Sequence, residues 1–225
     1  MQRFFDIIFS GMALVILSVF LIPLALFLRM TGEGEIFYSQ NRIGLNGKRF
    51  RLYKFATMLK NSPFMTTGTV TVKNDPRILP AGKFLRQTKI NELPQLLNIF
   101  FGDMSFVGPR PLTPQTFDSY SPHIQEKVKQ VRPGLSGIGS IIFRGEEDIL
   151  FGESGSVDFY NEVIAPYKGL LEAWYVNNQS LKTYFIAIFA TVWVVIFPQS
   201  SLVWYVFRGL PTPPANLMAP LNFPG

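Results

Sequence analysis

The sequence contains no cysteine, which excludes disulfides and thiolate-held metals and is compatible with a reducing compartment. Its one histidine, His123, follows Ser121-Pro122 at an expected helix start, where a solvated or capping role suits it better than general-base work. Metal binding must therefore rest on carboxylates. No Walker-type loop or dinucleotide fingerprint is present, because Gly44 and Gly47 lie too close to a hairpin to cradle a nucleotide. There is no internal repeat, and nothing reads as a stacking platform or a groove-reading helix, which argues against nucleic acid. Acidic residues are the scarcer kind, 15 against 21 Lys and Arg, leaving a net charge of +6. Hydrophobic residues make up 48% of the 225, more than a soluble domain of that length needs, so the basic excess is directed at anionic lipid or phosphorylated substrates. The length allows one domain with membrane elements and not two catalytic domains.

Charge is absent from Ile7 to Leu28, a run of 22 residues. As a helix it would measure about 33 Å at about 1.5 Å per residue, enough to span the hydrocarbon core. Leu28-Arg29-Met30 follows directly, with no small-x-small cleavage site, so the segment is expected to stay attached. Pro23 lies inside the run and lacks the amide that would bond the Val19 carbonyl. A kink is expected there, with Ser18 or a neighbour satisfying the freed group. A helix broken at Pro23 could enter one leaflet and turn back, leaving Arg3 and Arg29 in one headgroup layer, as the alternative to a spanning helix. From Ile36 to Asn74 every charge is positive, which assigns that segment to the cytoplasmic side.

Asn46-Gly47 between alternating runs predicts a hairpin pairing Phe37–Gln40 with Arg49–Tyr53. Short helices are expected over Gly82–Thr88 and Leu93–Phe101, with Asn91 at the cap of the second and Gly102 as its stop. Pro109-Arg110-Pro111 and Arg132-Pro133-Gly134 read as tight turns, so loops are expected to dominate the middle of the chain. Helix returns from Val157 to Phe197, interrupted at Pro166 and ended by Pro198. The apolar stretch Tyr184–Phe197 is too short for a comfortable span and is expected to be interfacial or buried. Trp174, Tyr175, Trp193, Trp204 and Tyr205 suit a headgroup-level belt and core packing equally well. The tail from Pro211 to Gly225, with prolines at 211, 213, 214, 220 and 224, is expected to wrap a surface without regular structure. The expected fold is thus α/β, mainly helical with a small β-hairpin. Its divisions are a membrane helix (1–30), a core segment (31–156) and C-terminal interfacial helices with a Pro-rich tail (157–225).

Phosphoryl transfer needs cations to hold phosphate oxygens, a carboxylate for a metal and an in-line nucleophile. Asn91-Glu92-Leu93-Pro94 opens a helix whose free amides attract anions, and Asn91 is also a good N-cap in its own right. Around it in sequence stand Lys54 in Tyr53-Lys54-Phe55, Asp75-Pro76-Arg77, Phe84-Leu85-Arg86 and the run Gly102-Asp103-Met104-Ser105-Phe106-Val107-Gly108-Pro109-Arg110-Pro111. Each cation has a structural alternative, since Arg77 and Arg86 can pair with Asp75 or Glu92 and Arg110 can hold its own loop.

These motifs in this order, from Arg3-Phe4-Phe5-Asp6 through Arg132-Pro133-Gly134, resemble the small monotopic phosphoglycosyl transferases of the bacterial sugar transferase family. The resemblance implies a monotopic protein of the bacterial inner membrane with a re-entrant helix and a site on the cytoplasmic face. It implies transfer of a sugar 1-phosphate from a UDP-sugar to polyprenyl (undecaprenyl) phosphate with release of UMP, using Mg2+. This would be the first membrane step of a surface polysaccharide or glycoconjugate. By motif, Asn91 falls on the nucleophile position and Glu92 on its acidic neighbour, with metal assigned to Glu92 and secondarily to Asn91. Lys54, Arg86 and Arg110 fall on phosphate-binding positions, and Arg144 follows as a weaker match. The implied partners are the UDP-sugar, polyprenyl phosphate, membrane lipids and, as an assembly, a homodimer.

The family has Asp where this chain has Asn91, and an amide is neither a strong Mg2+ ligand nor a carboxylate nucleophile. Three readings stay open: Glu92 as nucleophile, direct transfer with Glu92 or Asp103 on the metal, or an inactive module binding nucleotide sugar or polyprenyl phosphate.

Overall fold

The computed structural model describes residues 1–62, 65, 75–145, 149 and 159–224. The end of the basic segment, the expected helix start at Val157 and the boundary at 156 lie outside the described residues. The chain divides into two compact units, one of Met1–Phe4, Asn41–Phe50 and Gly102–Gly225, the other of Phe5–Gln40 and Arg51–Phe101. The described residues are mainly helical with little sheet.

In the second unit the dominant element is α1 (Gln2–Met30), whose first residues belong to the other unit. Its 29 residues correspond to about 43 Å at about 1.5 Å per residue, so it is long and apolar enough to cross a membrane. Only Asp6, Ser10 and Leu28 are buried along it, while Val15, Val19 and Phe20 are 73%, 71% and 70% exposed. An apolar surface that bare points to lipid as its neighbour. The expected break at Pro23 does not interrupt the helix, which runs through the proline at the loss of one backbone hydrogen bond. Ser18 does not serve the Val19 carbonyl, for its hydroxyl donates to the Val15 carbonyl at 2.6 Å.

The hairpin forms as expected and extends further, with β1 (Phe37–Ile43) and β2 (Arg49–Phe55) paired. Asn46 and Gly47 at its tip take φ of 56° and 73°, the left-handed conformation that makes Asn-Gly the favoured pair for a tight hairpin turn. Phe37 stacks on Phe55 at 5.6 Å, and Phe55 joins Leu28 and Leu85 in the core of the second unit. α2 (Pro80–Gln87) starts on a proline whose missing amide costs nothing at a helix start. It presses on the loop after β2, where a Cβ on Gly82 would lie 2.2 Å from the Thr57 carbonyl oxygen. α3 (Gln95–Phe101) closes the unit. Asn91 is not its cap, because it sits in a separate 3-10 turn, Ile90–Glu92, entered through Lys89 at φ 59°.

In the other unit Gly102, at φ 100°, stops α3 as expected and leads into β3 (Ser105–Val107). β3 pairs in parallel with β4 (Gly134–Ser136), Ser105 opposite Gly134 and Val107 opposite Ser136. The middle of the chain is thus less looplike than its Pro-Gly content led us to expect. Between these strands lie α4 (Pro114–Asp118) and α5 (Pro122–Val128), with His123 exposed in the first turn of α5. α6 (Ile138–Ile142) follows β4. A π-helical turn (Tyr160–Ile164) runs into α7 (Ala165–Asn177), so Pro166 falls in the first turn of α7 and does not break it. α8 (Leu181–Ile196) starts at Ser180, whose hydroxyl accepts the Thr183 amide at 3.0 Å, and ends before Pro198.

Phe189, Val192, Val195 and Ile196 leave an exposed apolar face on α8, whereas Tyr175 is fully buried and Tyr205 is exposed, so the aromatics divide between core and surface. α9 (Leu202–Val206) precedes the tail, which is not wholly irregular, for it contains the helical turn α10 (Ala215–Met218). Buried Leu217 and a hydrogen bond from the Tyr167 hydroxyl to the Pro211 carbonyl at 2.7 Å fasten that tail down. The first turn of α1 is fastened too. The Gln2 carboxamide donates to Ser105 Oγ at 2.8 Å and to the Val107 carbonyl at 3.1 Å, and the Tyr175 hydroxyl donates to that same carbonyl at 3.0 Å.

Candidate active site

The turn between α2 and α3 presents Asn91 and Glu92 side by side, and β2 brings Lys54 to them. Lys54 Nζ donates to Glu92 Oε1 at 2.7 Å, with both side chains only partly screened from solvent, at 25% and 29% exposure. Asn91 is 5% exposed, and its Oδ1 has no hydrogen-bond partner among the described residues. A buried acceptor without a donor is costly. In sequence it adjoins the Glu92 carboxylate, so the turn carries both an amide oxygen and a carboxylate.

Arg86 projects from the last turn of α2, half-buried, with Nη1 3.6 Å from the Met58 sulfur. Arg77 is not available to phosphate. It is 2% exposed, grips Asp75 through Nε at 2.8 Å and Nη2 at 2.6 Å, and donates Nη1 to the Ser62 carbonyl at 2.8 Å. This bidentate pair is the structural alternative foreseen for Arg77.

Arg110, Arg144 and Asp103 belong to the other unit, and all three side chains are exposed. Arg110 stands in a turn built of backbone packed on backbone. A Cβ on Gly134 would lie 2.1 Å from the Gly108 nitrogen, and one on Gly137 would lie 2.2 Å from the Gly108 carbonyl oxygen. Behind the turn, Glu172 of α7 is 1% exposed and accepts the Arg110 backbone N–H at 3.4 Å. Burial raises its pKa to about 7, a shift only partly offset by that hydrogen bond and by the Lys168 and Arg110 charges. Arg144 lines a cavity of about 730 Å³ together with Ile141, Val194 and Trp204.

The sequence reading passed over Glu172 and Asn98. Each is a lone polar residue within an apolar helical stretch, Leu170-Leu171-Glu172-Ala173-Trp174 and Leu96-Leu97-Asn98-Ile99-Phe100, and that isolation was the available signal.

The side-chain acceptors of the Asn91-Glu92 turn are oxygens, the donor type of hard divalent cations, and Lys54 already engages one of the Glu92 oxygens. Among the described residues no three Asp, Glu or His side chains group together.

The model of the bacterial sugar transferase family matches residues 1–198. The chain belongs to the bacterial sugar transferase family. It is 38% identical over 154 residues to a UDP-glucose:undecaprenyl-phosphate glucose-1-phosphate transferase of Klebsiella pneumoniae, an alignment covering 66% of this chain and 32% of the relative. Over 213 residues it is 32% identical to an undecaprenyl-phosphate galactose phosphotransferase of Salmonella typhimurium, covering 87% and 40% of the two chains. The chain therefore spans well under half of these two relatives. Identity is 32% over 215 residues to the exopolysaccharide production protein ExoY of Sinorhizobium fredii, with 89% of this chain and 87% of that one aligned.

Proposed function

We propose that this chain transfers a sugar 1-phosphate from a UDP-sugar to polyprenyl (undecaprenyl) phosphate, giving polyprenyl-diphosphate-sugar and UMP. The observation that carries the reading is the Lys54–Glu92 ion pair beside the partnerless Asn91 oxygen, in a chain of this family. Relatives named for glucose-1-phosphate and galactose-phosphate transfer to undecaprenyl phosphate supply the substrate classes. In the net reaction a carrier-phosphate oxygen becomes bonded to the sugar-linked phosphorus. The bond from that phosphorus to the bridging oxygen breaks, and UMP departs with the electron pair.

Glu92 takes the carboxylate role, since the Asn91 amide lacks the nucleophilic oxygen of a carboxylate. By their motif positions Lys54 and Arg86 of one unit, and Arg110 and Arg144 of the other, are each assigned to phosphates, whose charge fixed cations stabilise. Asn91 Oδ1 and Glu92 would hold Mg2+, which when bound supplies neutralising charge at the diphosphate. Residues 31–156 form the catalytic segment, with the membrane helix before it and the interfacial segment 157–225 after it.

The site is assigned to the cytoplasmic face of the bacterial inner membrane, with α1 re-entrant. The run of positive charge from Ile36 to Asn74 supports the cytoplasmic side, and the re-entrant form rests on the family.

The test is UMP release by detergent-solubilised protein given a panel of UDP-sugars, with and without polyprenyl phosphate. Carrier-dependent release that Glu92→Gln abolishes is expected, and no release with any donor overturns the reading.

A further inference from the structure

We propose that Asn98 is a positioning residue that sets Lys54 opposite Glu92, an inference that rests on the transferase reading of that pair. Among the described residues β2 pairs with β1 on one edge and with no strand on the other. On its backbone, Arg51 and Tyr53 are both served by a single side chain. Asn98 Nδ2 donates to the Arg51 carbonyl at 2.7 Å, and Asn98 Oδ1 accepts the Tyr53 N–H at 3.0 Å. A carboxamide offers one donor and one acceptor side by side, so it reproduces the pair of bonds that a neighbouring strand would make to residues two apart. Asn98 is fully buried, where losing either bond leaves a backbone group unsatisfied.

Lys54 sits on one of the two elements this bond pair joins, and Glu92 in the turn just before the other. Lys54 directly follows the anchored Tyr53, and Glu92 lies in the turn that leads into α3, which carries Asn98. The carboxamide therefore fixes the register of β2 against α3, and with it the place from which the Lys54 side chain reaches Glu92 at 2.7 Å. Only a residue with both a donor and an acceptor at this length does so. Aspartate has the shape but repels the Arg51 carbonyl.

The experiment measures carrier-dependent UMP release and thermal unfolding for the full chain, Asn98→Asp, Lys54→Met and the double variant. Hydrogen exchange at the Tyr53 amide is followed in each. Asn98→Asp is expected to slow turnover by about tenfold or more, the scale seen when a supporting residue misplaces a reacting group. The double variant is expected to be no slower than Lys54→Met alone, because the residue being positioned is already gone. Both Asn98 variants keep an oxygen for the Tyr53 N–H, so faster Tyr53 exchange in them, against protection in Lys54→Met, reports the register shift that repulsion at the Arg51 carbonyl causes. Turnover within twofold of the parent, or losses that multiply in the double variant, overturns the proposal. If Asn98→Asp fails to fold, Asn98→Ser, with a donor and acceptor on a shorter arm, carries the same comparison. A parent that releases no UMP overturns the transferase reading and this proposal with it, and the parent's own activity tells that failure from failure of Asn98 alone.

Discussion

Glu172 accepts the Arg110 backbone N–H with one carboxylate oxygen while its other oxygen is buried without a partner among the described residues. Its pKa is raised from 4.5 to about 7, so the folded chain keeps a proton there that the unfolded chain has lost. Between those two values the unfolded state binds fewer protons, and stability must fall as pH rises. The full effect is on the order of 3 kcal/mol, present below pH 4.5 and gone above about pH 7. Thermal unfolding across that range is expected to show a declining Tm in the parent. In Glu172→Gln the decline should be reduced, with a higher Tm than the parent at pH 8.

Gly134 has no room for a side chain, as its Cβ would meet the Gly108 nitrogen and the Ser136 carbonyl oxygen. Gly134→Ala is expected to destabilise by about 3 kcal/mol or more, beyond the usual cost of overpacking because rigid backbone is what must yield. Chemical denaturation and UMP release should fail together in this variant.

At Asn91 the replacement Asn91→Asp puts a charged oxygen where a neutral one lies buried without a partner. The expected result is faster UMP release and half-maximal activation at a several-fold lower Mg2+ concentration, since a carboxylate binds a hard cation more strongly than an amide. Titrating Mg2+ into metal-stripped parent and variant checks both. Unchanged activation would remove Asn91 from the metal site.

The absence of native cysteine makes membrane topology directly measurable. Single variants Phe4→Cys and Tyr38→Cys, at positions 63% and 38% exposed, are expected to react with an impermeant maleimide from the same face of inverted vesicles. Reaction from opposite faces would make α1 a spanning helix.

Much of the architecture was legible in local chemistry. Asn46-Gly47 specified its hairpin, Gly102 its helix stop and Pro198 its boundary, because each depends on φ or on a missing amide within a few residues. The parallel pairing of Ser105 with Gly134 was not legible, since it joins segments far apart in sequence and each strand is too short to carry a pattern. The cap assigned to Asn91 failed for a related reason: Lys89 at positive φ breaks the chain direction just before it. For the candidate site, sequence order singled out Lys54 and Glu92, but only the folded chain showed that Arg77 is spent on Asp75.

One carbonyl oxygen, that of Val107, receives both the Gln2 carboxamide and the Tyr175 hydroxyl, three residues before Arg110. Gln2 opens the long apolar helix α1. On the transferase reading, the same protein reconstituted in short- and long-chain lipids is expected to differ in its KM for the UDP-sugar.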